Sequence, residues 1–219
     1  MATILLNGVA TDASSIPGSD LADKLTVSGG VDGLSVDLAA GDDAVEIFAD
    51  SEDVTATEVR VSEGDDEITV VAASDDDADF AGLPISLGDS LLGGPGDDLI
   101  TLDDGLVQLT GAVKGNEDDD TFRVANINGG TVQGNSGDDS ITLGFAAGFT
   151  EAAGSLAAVA LTNGTINGGQ GADEITIGDD ATVTGSAVRG NEGKDYIFIS
   201  EDAEISADST INGNAGDDE

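Results

Sequence analysis

Apolar residues recur along this chain in two columns that keep step with each other. One column consists of pairs two residues apart: Val45/Ile47, Ile68/Val70, Ile100/Leu102, Phe122/Val124, Ile141/Leu143, Ile175/Ile177 and Ile197/Ile199. That alternation is the signature of a short strand with one buried face. The other column is Val36, Val59, Leu91, Val113, Val132, Ile166, Val188 and Ile211, and its members precede the pairs at a constant distance. A third short strand is expected around Val107/Leu109, Val183 and Ile205. One repeat therefore reads as strand, turn, strand, Gly-Asp turn, strand.

The Gly-Asp turn fixes the register. Its anchor is Asp43, Asp66, Asp98, Asp120, Asp139, Asp173, Asp195 and Asp218, at intervals of 23, 32, 22, 19, 34, 22 and 23 residues. Two residues before the anchor stands glycine in every copy except one, where Asp118 takes its place. Glycine is the default where φ must be positive or where backbones approach closely. A unit of about 22 residues cannot bury its apolar face alone, so the units must stack, each strand pairing in parallel with its copy in the next coil. The expected fold is all-β, a parallel β-solenoid (β-helix or β-roll); eight coils about 4.8 Å apart would make a rod on the order of 40 Å long.

Residues 1–30 lack the motif and are expected to form an N-terminal cap or docking segment, with the repeats filling 31–219. The two long intervals predict extruded loops. The second, over 144–161, includes a run of small residues from Glu151 to Ala160 suited to a short helix or a partner contact. The final residues, Gly213 to Glu219, stop inside a motif before its closing strand, so the solenoid is expected to continue in a longer product.

Composition narrows the class. The chain carries 45 acidic residues against 6 basic ones, a net charge of −39, and no His, Cys or Trp. A disordered acidic tail is excluded, because 39% of the residues are apolar and they fall in register. The charge argues against nucleic acid and anionic membranes as partners. Thiolate chemistry and His-based acid–base or zinc sites are excluded by composition. No stretch reaches the apolar length of a membrane span, and no basic region precedes the apolar start, which argues against a Sec-type signal peptide.

Parallel-strand solenoids also host enzymes that act on polysaccharides. Such chemistry on acidic sugars calls for cations and aromatic platforms, whereas this chain has Lys24, Arg60, Lys114, Arg123, Arg189 and Lys194, one Tyr and six Phe. Lys114 and Arg189 occupy equivalent positions in their coils and are expected to share a face. Paired carboxylates are uninformative in so acidic a chain. The reading is therefore not an enzyme, with no catalytic residues and a polysaccharide-acting β-helix enzyme ranked third among the functions considered.

The segments Gly93 to Thr101 and Gly168 to Thr176 match in full the nonapeptide Gly-Gly-x-Gly-x-Asp-x-(large apolar)-x, and the chain thereby resembles the RTX, or repeats-in-toxin, calcium-binding proteins. Three further copies carry Asn135, Asn191 or Asn214 as the second residue. The copy at Gly115 has Asn116 and Asp118 in place of glycine, and those at Asp43 and Asp66 lack the leading glycine pair. In the RTX family two nonapeptides share each coil; here one alternates with about 13 other residues, so only one edge of the rod is expected to carry ions. The resemblance implies Ca2+ held between consecutive coils by Asp98, Asp120, Asp139, Asp173, Asp195 and Asp218 together with turn carbonyls.

Electrostatics gives an independent reason for a cation. Carboxylates about 5 Å apart repel by roughly 3 kcal/mol at an effective dielectric of 20, and by under about 1 kcal/mol in bulk water. Magnesium suits flexible oxygen-rich turns less than calcium. Lys194, beside Asp195, is expected to weaken its turn. Together these features predict a calcium-stabilised extracellular or cell-surface structural protein of a surface layer, filament or adhesin stalk. A bacteriophage virion appendage is the alternative. Expected partners are further copies or assembly subunits, with a surface glycan as a candidate.

Overall fold

A computed structural model of the chain describes residues 3–6, 9–10, 15–28, 34–49, 58–72, 85–87, 90–102, 107–144 and 159–219. Among them there is no helix; strands and turns wind into a parallel β-solenoid built from three sheets. The first sheet stacks, in order, Lys24–Ser28, Ala44–Ala49, Glu67–Ala72, Leu99–Leu102, Thr121–Val124, Ser140–Leu143, Glu174–Ile177 and Tyr196–Ile199. Its register is that of the apolar pairs: Val45 lies opposite Ile68, and Ile68, Ile100, Phe122, Ile141, Ile175 and Ile197 follow one another rung by rung. The second sheet runs from Ser15–Pro17 to Thr210–Ala215 and stacks the second apolar column, Val36, Val59, Leu91, Val113, Val132, Ile166, Val188 and Ile211.

The third sheet has six strands, from Ile85–Leu87 to Glu204–Ile205, and includes the strands expected at Val107–Leu109 and Thr182–Thr184. It adds Asn126–Asn128 and Ala160–Thr162, which carry a single inward apolar residue each and so leave no alternating pattern to read. The inward residues of the three sheets close into one core, with Phe122, Ile141, Ile127, Leu161 and Val183 at most 1% exposed. Each such side chain contributes about 1.5–3 kcal/mol relative to exposure.

At the N-terminal end the parallel stack reaches into residues 1–30, since Ser15–Pro17 pairs with Ser35–Asp37 and Lys24–Ser28 with Ala44–Ala49. Among the described strands only Thr3–Leu6 and Val9–Ala10 run antiparallel; the first of these lies along Lys24–Ser28. Residues 73–84 and 145–158, where the extruded loops and most of the expected 151–160 helix fall, lie outside the described residues. No described helix is long and apolar enough to cross a membrane.

The fourth residue of each Gly-Asp turn controls how closely coils approach. Gly171 has φ +137°, and a Cβ there would lie 1.9 Å from the Gly137 carbonyl oxygen of the coil below. Asp118, which replaces this glycine, also adopts positive φ, +73°. Gly171→Ala should therefore cost about 1–2 kcal/mol for the left-handed backbone and about 1–3 kcal/mol more for overpacking. Gly129 has φ +78° but open space around its absent Cβ, so Gly129→Ala should lose only the backbone part. Denaturant melts of the two variants in calcium would test this, and equal losses would remove the close-packing argument.

Candidate metal centre

The turn anchors form a ladder running through the whole solenoid. In each coil the anchor Asp Oδ1 accepts a hydrogen bond from the backbone N–H of the anchor in the preceding coil. The series runs from Asp23 N to Asp43 Oδ1 (2.7 Å), through Asp98 N to Asp120 (3.0 Å), Asp120 N to Asp139 (2.9 Å) and Asp139 N to Asp173 (3.0 Å), to Asp195 N and Asp218 (3.1 Å). The peptide after each anchor is held in the opposite sense; Thr121 N–H, for example, donates back to the Asp98 carbonyl of the preceding coil at 2.8 Å. Every anchor from Asp43 to Asp195 is thus fixed by the coil on either side. The carboxylates are not solvated turn residues: Asp43, Asp66, Asp98, Asp120, Asp139, Asp173 and Asp195 are buried, while Asp218 at the end of the column is half-buried.

The second oxygen of these groups is the chemically informative atom. Oδ2 of Asp43, Asp66, Asp98, Asp120, Asp139, Asp173 and Asp195 is sealed from solvent and has no hydrogen-bond partner. In six coils Oδ2 lies against the first glycine of the turn. A Cβ at Gly134 would stand 1.8 Å from Asp139 Oδ2 and 2.7 Å from the Gly168 carbonyl oxygen. At Gly93 the corresponding distances are 1.9 Å to Asp98 Oδ2 and 3.0 Å to the Gly115 carbonyl. Oδ2 therefore packs directly against the glycine backbone, where any side chain would clash, with a carbonyl oxygen of the next coil close by. In the coils of Asp43 and Asp66 the same position holds Leu38 and Val61, both fully buried.

Burial without a counter-charge makes ionisation costly. It pushes Asp120 up to about 8, Asp98 and Asp173 to about 7, and Asp66 and Asp139 to about 6, and it also raises Asp43 and Asp195. Desolvation is the largest cause in every case. The ladder hydrogen bonds pull in the opposite direction, and neighbouring carboxylates add to the rise in each. Hard oxygen donors with unsatisfied negative charge fit an oxygen-seeking divalent cation. Among the described residues no three acidic groups converge on one point, so such an ion would take its remaining ligands from carbonyls.

A second, exposed ladder runs on the solvent side of the same turns with its hydrogen bonds reversed. Asp97 N–H donates to Asp65 Oδ1 of the preceding coil (3.2 Å), Asp119 N–H to Asp97 (3.1 Å), Asp138 N–H to Asp119 (2.7 Å) and Ala172 N–H to Asp138 (2.7 Å). Ala172 supplies no carboxylate to continue it. Lys194 is exposed in this outer column, whereas its neighbour Asp195 is buried in the inner one.

The six residues singled out in the sequence, Asp98, Asp120, Asp139, Asp173, Asp195 and Asp218, are brought into one column. Asp23, Asp43 and Asp66 extend that column and were not among the six. The register of Asp43 and Asp66 was readable, but their turns lack the leading glycine. Asp23 has Leu21 in place of the spacer glycine, and its Oδ2 is taken by Ser19 N–H at 2.6 Å.

Fold and column define the class: a parallel β-solenoid with an internal carboxylate ladder at one edge. No protein-family model matches the chain, and no curated protein does. Among solved structures the chain is similar to a hyperactive, Ca2+-dependent, β-helical antifreeze protein from an Antarctic bacterium, at 20% identity and a TM-score of 0.54, over 93% of this chain and 62% of that one. The chain thus spans less than two thirds of that protein's length, and the likeness establishes the β-helical fold.

Proposed function

We propose that this chain is a calcium-stabilised structural rod of the RTX-like kind, working outside the cell in a surface layer, filament or adhesin stalk. The observation that carries the reading is the unbroken file of buried, unpartnered Oδ2 atoms. A fold that seals that many carboxylate oxygens from water without a hydrogen-bond partner is incomplete without positive charge. Calcium is held by Oδ2 of Asp98, Asp120, Asp139, Asp173, Asp195 and Asp218 and by glycine carbonyls of the turns. The dependence on Ca2+ stated for the similar antifreeze protein is consistent with this assignment.

The expected ligand count supports the extracellular placement. Few charged ligands per ion place a site toward the weak end of the calcium range, about 10⁻⁴–10⁻³ M, the range of extracellular modules. The role is structural rather than catalytic, with the rod's stiffness supplied by ions that tie each coil to the next.

The reading is tested by circular dichroism and size exclusion during a calcium titration after chelation, with magnesium and sodium chloride as controls. Compaction and β-signal should rise with calcium and not with equal ionic strength of the controls. A chain already fully folded in chelator at pH 8 would sink the proposal.

A further inference from the structure

We propose that a notch on the outer face of the second sheet, floored by Gly168 and Gly169, binds an uncharged saccharide chain. The strands around it are Ala112–Glu117, Thr131–Ser136, Thr165–Gln170, Ala187–Glu192 and Thr210–Ala215. Their outward columns are read directly from the register. One is Lys114, Gln133, Asn167, Arg189, Asn212; the next is Asn116, Asn135, Gly169, Asn191, Asn214. Neither contains a carboxylate, in a chain where 45 of 219 residues are acidic.

The second of these columns is asparagine in every rung but one. Gly169 is the exception, and the missing side chain opens a groove of about 480 Å3 between Asn135 and Asn191, walled by Gln133, Asn167, Gln170 and Glu192. That volume falls inside the range of about 300–1,000 Å3 typical of small-molecule sites. Inside it, Asn167 Oδ1 is screened from water and has no hydrogen-bond partner, an acceptor that a ligand hydroxyl would satisfy once the amide turns about χ2.

The ligand class follows by elimination. The lining is amide, hydroxyl and glycine backbone with one carboxylate, Glu192, so an apolar ligand gains little. An anion meets the field of a chain carrying −39. A cation finds far stronger attraction at the carboxylate-lined turns than on this face. Arg189, opposite Asn167 in the next rung, and Glu192 in the wall carry opposite charges, and neither makes an ion pair among the described residues. What remains is a polar, uncharged, hydroxyl-rich chain, and rungs about 4.8 Å apart repeat at a pitch comparable to that of pyranose rings in an extended polysaccharide. A second copy of this chain would have to seat a concave face on its own image.

The test is two-dimensional NMR of side-chain amides on the full 219-residue chain in calcium and 150 mM salt, titrated with cellohexaose and, separately, with hexagalacturonate. Cellohexaose should shift the amide signals of Gln133, Asn167 and Gln170 saturably, and hexagalacturonate should bind more weakly. Gly169→Asn restores the residue that four other coils carry at φ of +73° to +110° and should weaken binding at least about tenfold. Because a Cβ at Gly169 approaches the Asn135 carbonyl oxygen to 2.1 Å, Asn167→Ala serves as the second variant, leaving the backbone untouched and costing about tenfold through one lost hydrogen bond. The proposal is overturned if neither saccharide shifts these signals, if both variants bind like the parent, if the acidic saccharide binds more tightly, or if the signals move with protein concentration instead of with saccharide.

Discussion

In calcium-free buffer the protein should melt at a lower temperature at pH 8 than at pH 5.5, and calcium should reverse the order. The sign follows from the buried column. Asp66, Asp98, Asp120, Asp139 and Asp173 have native pKa values raised from 3.8 to between about 6 and 8, chiefly by desolvation. A group whose native pKa lies above its unfolded one gives stability that is fully present below about pH 4 and is lost as pH climbs through the native value. Each pH unit of that displacement is about 1.4 kcal/mol per carboxylate, and several such groups together rival the 5–15 kcal/mol that holds a typical domain. Metal-free protein at pH 8 is therefore expected to be largely unfolded.

With calcium bound, protons compete for the same Oδ2 atoms, so acidification removes the ion and stability falls with pH. Repulsion among the exposed carboxylates also favours the acidic side, but it is screened over about 10 Å in 0.1 M salt. Scanning calorimetry at pH 5.5 and 8, with calcium or chelator, in 0.1 and 0.5 M sodium chloride, separates the two effects. A chelator slope that vanishes at high salt would assign it to the surface and not to the column.

Asp139→Asn should stabilise the protein in chelator and destabilise it in calcium. Asp139 sits in the middle of the column, where its Oδ1 accepts from Asp120 N–H at 2.9 Å. An asparagine carbonyl keeps that acceptor, and the substitution removes a buried charge that carries no counter-ion in the metal-free state. In calcium the same change deletes a ligand, and the bound-ion count should fall. Asp139→Ala differs informatively: it abandons the Asp120 N–H in the interior, at about 1–3 kcal/mol, and should be less stable than the Asn variant in both conditions. Melting curves of the two variants with and without calcium give four comparisons. An Asn variant less stable than the parent in chelator at pH 8 would mean that Asp139 is already protonated or otherwise satisfied without metal.

The two ladders explain how a rod with short strands keeps its register. Inner hydrogen bonds point from each coil to the carboxylate of the next, and outer ones point back to the carboxylate of the coil before. A slip between coils would break both sets together. The outer set ends at Ala172, so from that coil on, register at this edge rests on the backbone pairing and the inner column.

Much of this molecule was legible in its sequence because the information is periodic. The spacing of Ile68/Val70, Ile100/Leu102 and Ile141/Leu143 fixes strand, face and parallel stacking at once, since only one register buries every pair. The constant place of Asp98, Asp139 and Asp173 fixes one edge of the rod as acidic. The Asp118 turn kept its left-handed backbone without glycine, at a position where the spacing alone demanded it.

What the spacing could not convey is what lies between coils. An Asp in a Gly-Asp turn reads as a solvent-facing residue, and its burial appears only when the next coil covers it. The bond from Asp120 N–H to Asp139 and the close approach of Gly134 to the Gly168 carbonyl join residues that stacking alone brings together. The recruitment of Asp23, and the notch that Gly169 leaves between Asn135 and Asn191, belong to the same level. The sequence by itself determined the repeat, its strands and the edge that carries its charge. Tertiary structure alone decided that this charge is buried and unpartnered, because desolvation depends on which atoms cover a group and not on which residues stand beside it in the chain.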